Sequence, residues 1–115
     1  MKAEARVLRA FYYFLLFRQY GPVVIWGDNT PDLTIPNDEV DRHTVDECVK
    51  FISDELSLAA ADLPLKITDP SWYGRATKGA ALAAKSRLML YAARPLFNGA
   101  SLYKGMKNHY GNFLF

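Results

Sequence analysis

Residues 3–22 read AEARVLRAFYYFLLFRQYGP and run without a helix breaker until Gly21 and Pro22. Within them Ala3, Val7, Ala10, Phe14 and Phe17 recur at three- and four-residue steps, the period of one face of an α-helix. The spacing predicts a helix over residues 3–19. Leu8, Phe11, Tyr12 and Leu15 widen the apolar surface beyond a single stripe, which predicts a helix packed on several sides and central to its domain. Arg6, Arg9 and Arg18 take the remaining polar positions. Gly21 tolerates the left-handed backbone of a helix cap and Pro22 cannot continue a helix, so the stop is specified chemically.

Downstream, Val23-Val24-Ile25-Trp26 prefers an extended chain but has no partner strand, and reads as a connector. Residues 27–42 are rich in Asp, Asn, Pro and Thr and read as exposed loop. Thr44-Val45-Asp46-Glu47 is a capping-box pattern that opens a second helix over residues 44–62. Val45, Val49, Ile52, Leu56, Ala59 and Leu63 form its apolar face, and Asp46 and Lys50 have the spacing of an i,i+4 ion pair. After a polar loop containing Trp72 and Tyr73, a third helix is expected over residues 77–93, with Ala80, Ala84, Leu88 and Tyr91 on one face. Its Ala-rich start permits close approach of another helix. The last twenty residues carry no clear period. The fold class is therefore all-α, a tetratricopeptide-like helical repeat of α-solenoid type, although the full repeat signature is absent.

The chain has 115 residues, half of them apolar, enough for one core. Its net charge of +2 is spread along the chain, which argues against a nucleic-acid partner. The single Cys48 excludes an internal disulfide and a paired-cysteine zinc site. The first residues lack a signal-peptide pattern, and no stretch approaches the roughly 18 uninterrupted apolar residues of a membrane span. A helical pattern that begins by the third residue, and a chain that stops on Phe113-Leu114-Phe115, read as an internal piece of something longer.

Catalytic patterns are weak. Cys48 and His43 have no supporting signature for a nucleophile and base. Asp28-Asn29-Thr30-Pro31-Asp32 lacks the glycine of a calcium loop, and Gly74-Arg75-Ala76-Thr77-Lys78-Gly79 lacks the Lys and Ser or Thr of a phosphate loop. For that second stretch, the sequence favours Thr77 as a helix cap. Asp38, Glu39 and Asp41 cluster in one loop as a carboxylate group of the kind glycosidases use, but exposed loop acids more commonly just solvate. No cofactor, metal or catalytic residue is expected. The aromatic residues outside helices, Trp26, Trp72, Tyr73, Phe97, Tyr103 and Tyr110, have flat apolar faces and polar edges suited to stacking on a sugar ring, although such residues more often pack under a loop or at an interface. Of these, Trp72, Tyr73 and Trp26 are the candidate ligand contacts.

Four segments in order resemble the SusD/RagB family. They are the Glu4 to Phe14 helix with Arg18-Gln19-Tyr20-Gly21-Pro22-Val23-Val24, the Arg42–Val45 start with Ile52-Ser53-Asp54-Glu55-Leu56 and Leu63-Pro64, the Gly74 to Ala81 stretch with Leu88-Met89-Leu90-Tyr91-Ala92-Ala93, and Arg94-Pro95-Leu96-Phe97-Asn98-Gly99. The resemblance implies a mostly helical, non-enzymatic nutrient-binding lipoprotein of the outer membrane of Bacteroidetes-type bacteria. Such a protein caps a SusC-like TonB-dependent transporter and captures an oligosaccharide or, in some branches, a peptide. It implies contact with the membrane only through a lipid anchor outside residues 1–115, because Cys48 lies inside a predicted helix. The matched segments are scaffold, so no binding residue is carried over. The rival reading is a general tetratricopeptide-like protein-interaction scaffold.

Overall fold

Thr44 and Thr77 show most directly how this sequence starts its helices. The Thr44 hydroxyl accepts from the Glu47 N–H at 3.2 Å, and the Glu47 carboxylate accepts from the Thr44 N–H at 2.8 Å, so both orphan donors are satisfied. The Thr77 hydroxyl accepts from the Ala80 N–H in the same way. The structure, a computed structural model, describes residues 1–36 and 40–115. It contains α1 (Lys2–Tyr20), α2 (Val45–Asp62) and α3 (Lys78–Ala92), with a short 3-10 turn at Pro70–Trp72. Among the described residues there is no strand, only an isolated antiparallel bridge between Lys107 and Phe113. The three predicted helices are present, α1 and α3 displaced by a residue at both ends and α2 by a residue at its start alone. Gly21 closes α1 at φ 72°, its N–H donating to the Phe17 carbonyl.

The core lies between α1 and the two later helices. Ala10, Phe14 and Phe17 of α1 pack with Val45, Cys48, Ile52 and Leu56 of α2 and with Leu88 of α3. A second cluster joins Ala59, Ala60 and Leu63 to Ala81, and its small side chains let α2 and α3 approach closely. Of the predicted α3 face, Ala84, Leu88 and Tyr91 pack against the core, while at its start Ala81 is buried and Ala80 is exposed. The lysine of α2 pairs forward as well: Lys50 Nζ lies 2.6 Å from Asp54, and not against the expected Asp46. Both i,i+4 carboxylates were available to Lys50, and the spacing alone could not choose between them.

α2, not α1, is the central helix. It packs on both α1 and α3, while Leu8, Tyr12, Leu16 and Tyr20 on the outer side of α1 are 51%, 59%, 44% and 72% exposed. The apolar width of α1 therefore exceeds what α2 and α3 cover. The molecule is a slab of 50 × 38 × 20 Å, about two helix diameters deep. Its radius of gyration is 16.2 Å, against about 13 Å for a compact chain of this length.

The connections are pinned as firmly as the helices. The His43 N–H donates to the Val23 carbonyl, and the Ile25 N–H donates to His43 Nδ1 at 3.1 Å. At the far end of the chain, Leu114 is buried, its carbonyl accepts from the Val45 N–H at 2.8 Å and its own N–H donates to the Met106 carbonyl. Of the apolar run at 113–115, only Phe113 is exposed.

Candidate functional site

Trp26 ends the extended connector, where its N–H donates to the Tyr13 hydroxyl at 3.0 Å. The ring is half-buried and forms part of the wall of an open cleft of about 440 Å³. His43 and Asn29 line the same side. Because His43 Nδ1 accepts a backbone N–H, the neutral ring carries its proton on Nε2 and can donate there.

The turn between Lys107 and Phe113 adds Asn108, Tyr110 and Asn112 to the lining. This turn is closed by hydrogen bonds from the Asn108 N–H to the Asn112 carbonyl and from the Asn112 N–H to the Asn108 side chain. It is tied to the body through Asn108 Nδ2, which donates to the Arg42 carbonyl at 3.2 Å, and through the His109 N–H, which donates to the Asp41 carboxylate. Gly111, at φ 83°, makes the reversal possible. The cleft thus offers an indole, a phenol, an imidazole and carboxamides. These groups stack on and hydrogen-bond to a polar ring, and Asp41, Arg42 and Glu47 add charged side chains to the same lining.

Trp72 and Tyr73 stand elsewhere. Asp69 caps their 3-10 turn, accepting from the Ser71 N–H at 2.9 Å and the Ser71 hydroxyl at 2.7 Å, and these bonds hold its carboxyl below the usual carboxylate range. The Arg75 guanidinium lies 4.2 Å from the centre of the Trp72 ring and is itself held by Glu4 at 2.9 Å. Trp72 is 54% and Tyr73 68% exposed, so an oriented aromatic platform faces solvent. The platform is anchored at Glu4 and the cleft at Tyr13, roughly 13 Å apart along α1. The three candidate contacts therefore form two separate features and not one site.

The remaining aromatic candidates divide between packing and lining. Phe97 stacks on Phe17 at 4.8 Å and on Phe115 at 6.0 Å, and Tyr103 stacks on Phe115 at 5.4 Å. Tyr110 joins the Trp26 cleft.

Cys48 is fully buried, its thiol donates to the Val23 carbonyl at 3.6 Å, and burial pushes its pKa up, the reverse of an activated nucleophile. Asp28 is held below the usual carboxylate range by its hydrogen bond to Arg9, and Asp32 by hydrogen bonds from Thr34. Both are thus committed to local structure. No group of three or more metal-ligating side chains occurs among the described residues. Of the loop carboxylates, Asp41 is occupied by backbone N–H groups of Arg42 and His109, while Asp38 and Glu39 lie outside the described residues.

Asn108 and Asn112 are lining residues that the sequence did not single out. The turn chemistry of Tyr110-Gly111-Asn112 was the available signal, but nothing local brings that turn against Trp26. No helix among the described residues is long and apolar enough to cross a membrane.

A family model described as starch-binding and associating with the outer membrane matches residues 1–90. A SusD-like protein of Bacteroides ovatus is 33% identical over 96 residues, covering 84% of this chain and 16% of its own length. Among solved structures, BT4246 superposes with a TM-score of 0.79 at 41% identity, covering 90% of this chain and 17% of that one. A SusD-like carbohydrate-binding protein from Bacteroides fragilis gives a TM-score of 0.68 at 34% identity, covering 76% of this chain and 17% of that one. The chain spans about a sixth of the length of these relatives.

Proposed function

The chain belongs to the SusD-like family, and from that premise we propose that the protein captures an oligosaccharide at the bacterial cell surface and passes it, unaltered, to a SusC-like TonB-dependent transporter. The observation that carries the ligand class is the Trp26 cleft, whose lining brings an indole together with carboxamides, an imidazole and a phenol. Those groups complement the apolar faces and hydroxyl edges of a sugar. The exposed Trp72 and Tyr73 platform is a second stacking surface, suited to a neighbouring part of a long glycan. In this reading the protein sits at the outer membrane through a lipid carried elsewhere than on Cys48, which is sealed in the core and unavailable for acylation.

The exposed apolar side of α1, with Leu8, Tyr12, Leu16 and Tyr20, favours a second reading, a helical scaffold that binds protein and no sugar. A glycan-array and peptide-panel screen separates the two, run on the protein beside an Asn29→Ala variant and a Trp72→Ala, Tyr73→Ala variant. These three positions are exposed, so the changes leave the core intact. Saturable glycan binding weakened by Asn29→Ala supports the cleft, and weakening by the double change supports the platform. Binding to peptides alone supports peptide capture, and retention of a transporter barrel with no sugar dependence supports the scaffold.

A further inference from the structure

A second cleft, of about 230 Å³, opens on the other side of Arg42, and we infer that it holds the carboxylate of an acidic sugar unit between Arg18 and Arg42. The inference rests on the glycan-capture reading and narrows its ligand to uronate-bearing oligosaccharides. Arg18, in the last turn of α1, and Arg42, in the loop before α2, both line the cleft. Neither guanidinium has an acidic partner among the described residues, whereas Arg6, Arg9 and Arg75 are each paired. Among the described residues no carboxylate side chain lines this cleft. Asp41, the nearest in sequence, is occupied by the N–H groups of Arg42 and His109. Two arginines that line one space, with no acidic side chain among its described lining, can together receive a planar anion, since each guanidinium can donate a pair of hydrogen bonds to a carboxylate.

The remaining lining is aromatic. Tyr20, Phe97, Tyr103 and Phe115 contribute ring surface, with Phe97 and Tyr103 each stacked on Phe115. Ring surface beside a cation pair matches a uronic acid, which has an apolar ring face and a carboxylate on one edge. The volume falls below the roughly 300–1,000 Å³ typical of drug-sized sites, so the cleft suits a single ring. A basic residue in the last turn of α1 also offsets the helix dipole, which accounts for Arg18 alone. It leaves Arg42 unexplained, because Arg42 arrives from a different segment. Arg42 also lines the Trp26 cleft, so the two clefts meet at this residue. An oligosaccharide with its acidic unit at Arg18 and Arg42 would have its next units beside the residue that the Trp26 cleft shares.

Isothermal titration of the full chain with oligogalacturonate, its methyl ester, a neutral malto-oligosaccharide and an acidic peptide tests this. The expected result is binding of oligogalacturonate, weakened about tenfold or more by methyl esterification and by either Arg18→Gln or Arg42→Gln, each of which removes charged hydrogen bonds. Both arginines are exposed, and circular dichroism checks that the variants keep the fold. Equal binding of acid, ester and neutral sugar overturns the inference while leaving glycan capture standing. Preference for the acidic peptide overturns the inference in favour of peptide capture. No binding of any sugar overturns both.

Discussion

Arg9 and Glu55, 46 residues apart in sequence, meet at 2.6 Å and join α1 to α2. Arg9 also donates to the Gly27 carbonyl at 2.9 Å and to Asp28 at 2.7 Å, so one guanidinium fixes two helices and the loop that follows Trp26. Arg6 lies 3.6 Å from the same Glu55 oxygen. Replacing Glu55 by Ala leaves two part-buried cations facing each other. Full burial of such a broken pair costs about 3–5 kcal/mol, and partial exposure of both arginines lowers the expected loss to about 2 kcal/mol. Urea unfolding of Glu55→Ala, Arg9→Ala and the double variant measures it. Additive losses would show that the pair is not coupled.

Phe17 is fully buried and stacks on Phe97 while meeting Tyr91 edge-on at 6.3 Å. It therefore ties α1 both to α3 and to the segment after α3. Phe17→Ala is expected to cost about 3–5 kcal/mol, the range for truncating a core phenylalanine, read as a fall in the denaturation midpoint.

Thr44→Ala removes the hydroxyl from a complete capping box and is expected to cost about 1 kcal/mol, with Thr77→Ala similar or smaller because α3 has no reciprocal carboxylate. Thr44→Ser should restore most of the loss. Chemical denaturation of the three variants decides whether the side-chain oxygen or the methyl group matters.

Burial raises the Cys48 pKa in the fold, so as pH rises the unfolded chain gives up the thiol proton first. The stabilising contribution is complete below the ordinary thiol value of about 8.5 and is lost as pH climbs through the higher folded value. The denaturation midpoint is expected to fall from about pH 9 upward, and less steeply in Cys48→Ala. The native thiol should react with a disulfide reagent only slowly, then rapidly in urea.

The helices and their caps were legible because they rest on local rules. The three- and four-residue spacing of Ala10, Phe14 and Phe17 and the pairing of Thr44 with Glu47 need no distant partner. The central position of α2 was not legible, because the apolar width of α1 does not reveal which of its sides a neighbour covers. Arg9 looked like a polar surface position, since nothing near it in sequence announces Glu55. The cleft was partly visible, since Tyr110 as well as Trp26 was among the aromatic residues picked out by sequence. Trp26 stood out by its chemistry, but Asn108 and Asn112 reach it through bonds to Arg42 and Asp41 from the opposite end of the chain.

The hydrogen bond from the Val45 N–H to the Leu114 carbonyl joins the start of α2 to the residues that follow α3. During synthesis, α1, α2 and α3 all emerge before Leu114 exists, so the first turn of α2 waits with a free amide until the residues after α3 have followed. Contacts at such long sequence separation are slow to form, because a large loop must close before they return any stabilisation. The turn that carries Asn108 and Asn112 is joined to the Trp26 cleft by contacts of this long-range kind, to Arg42 and Asp41.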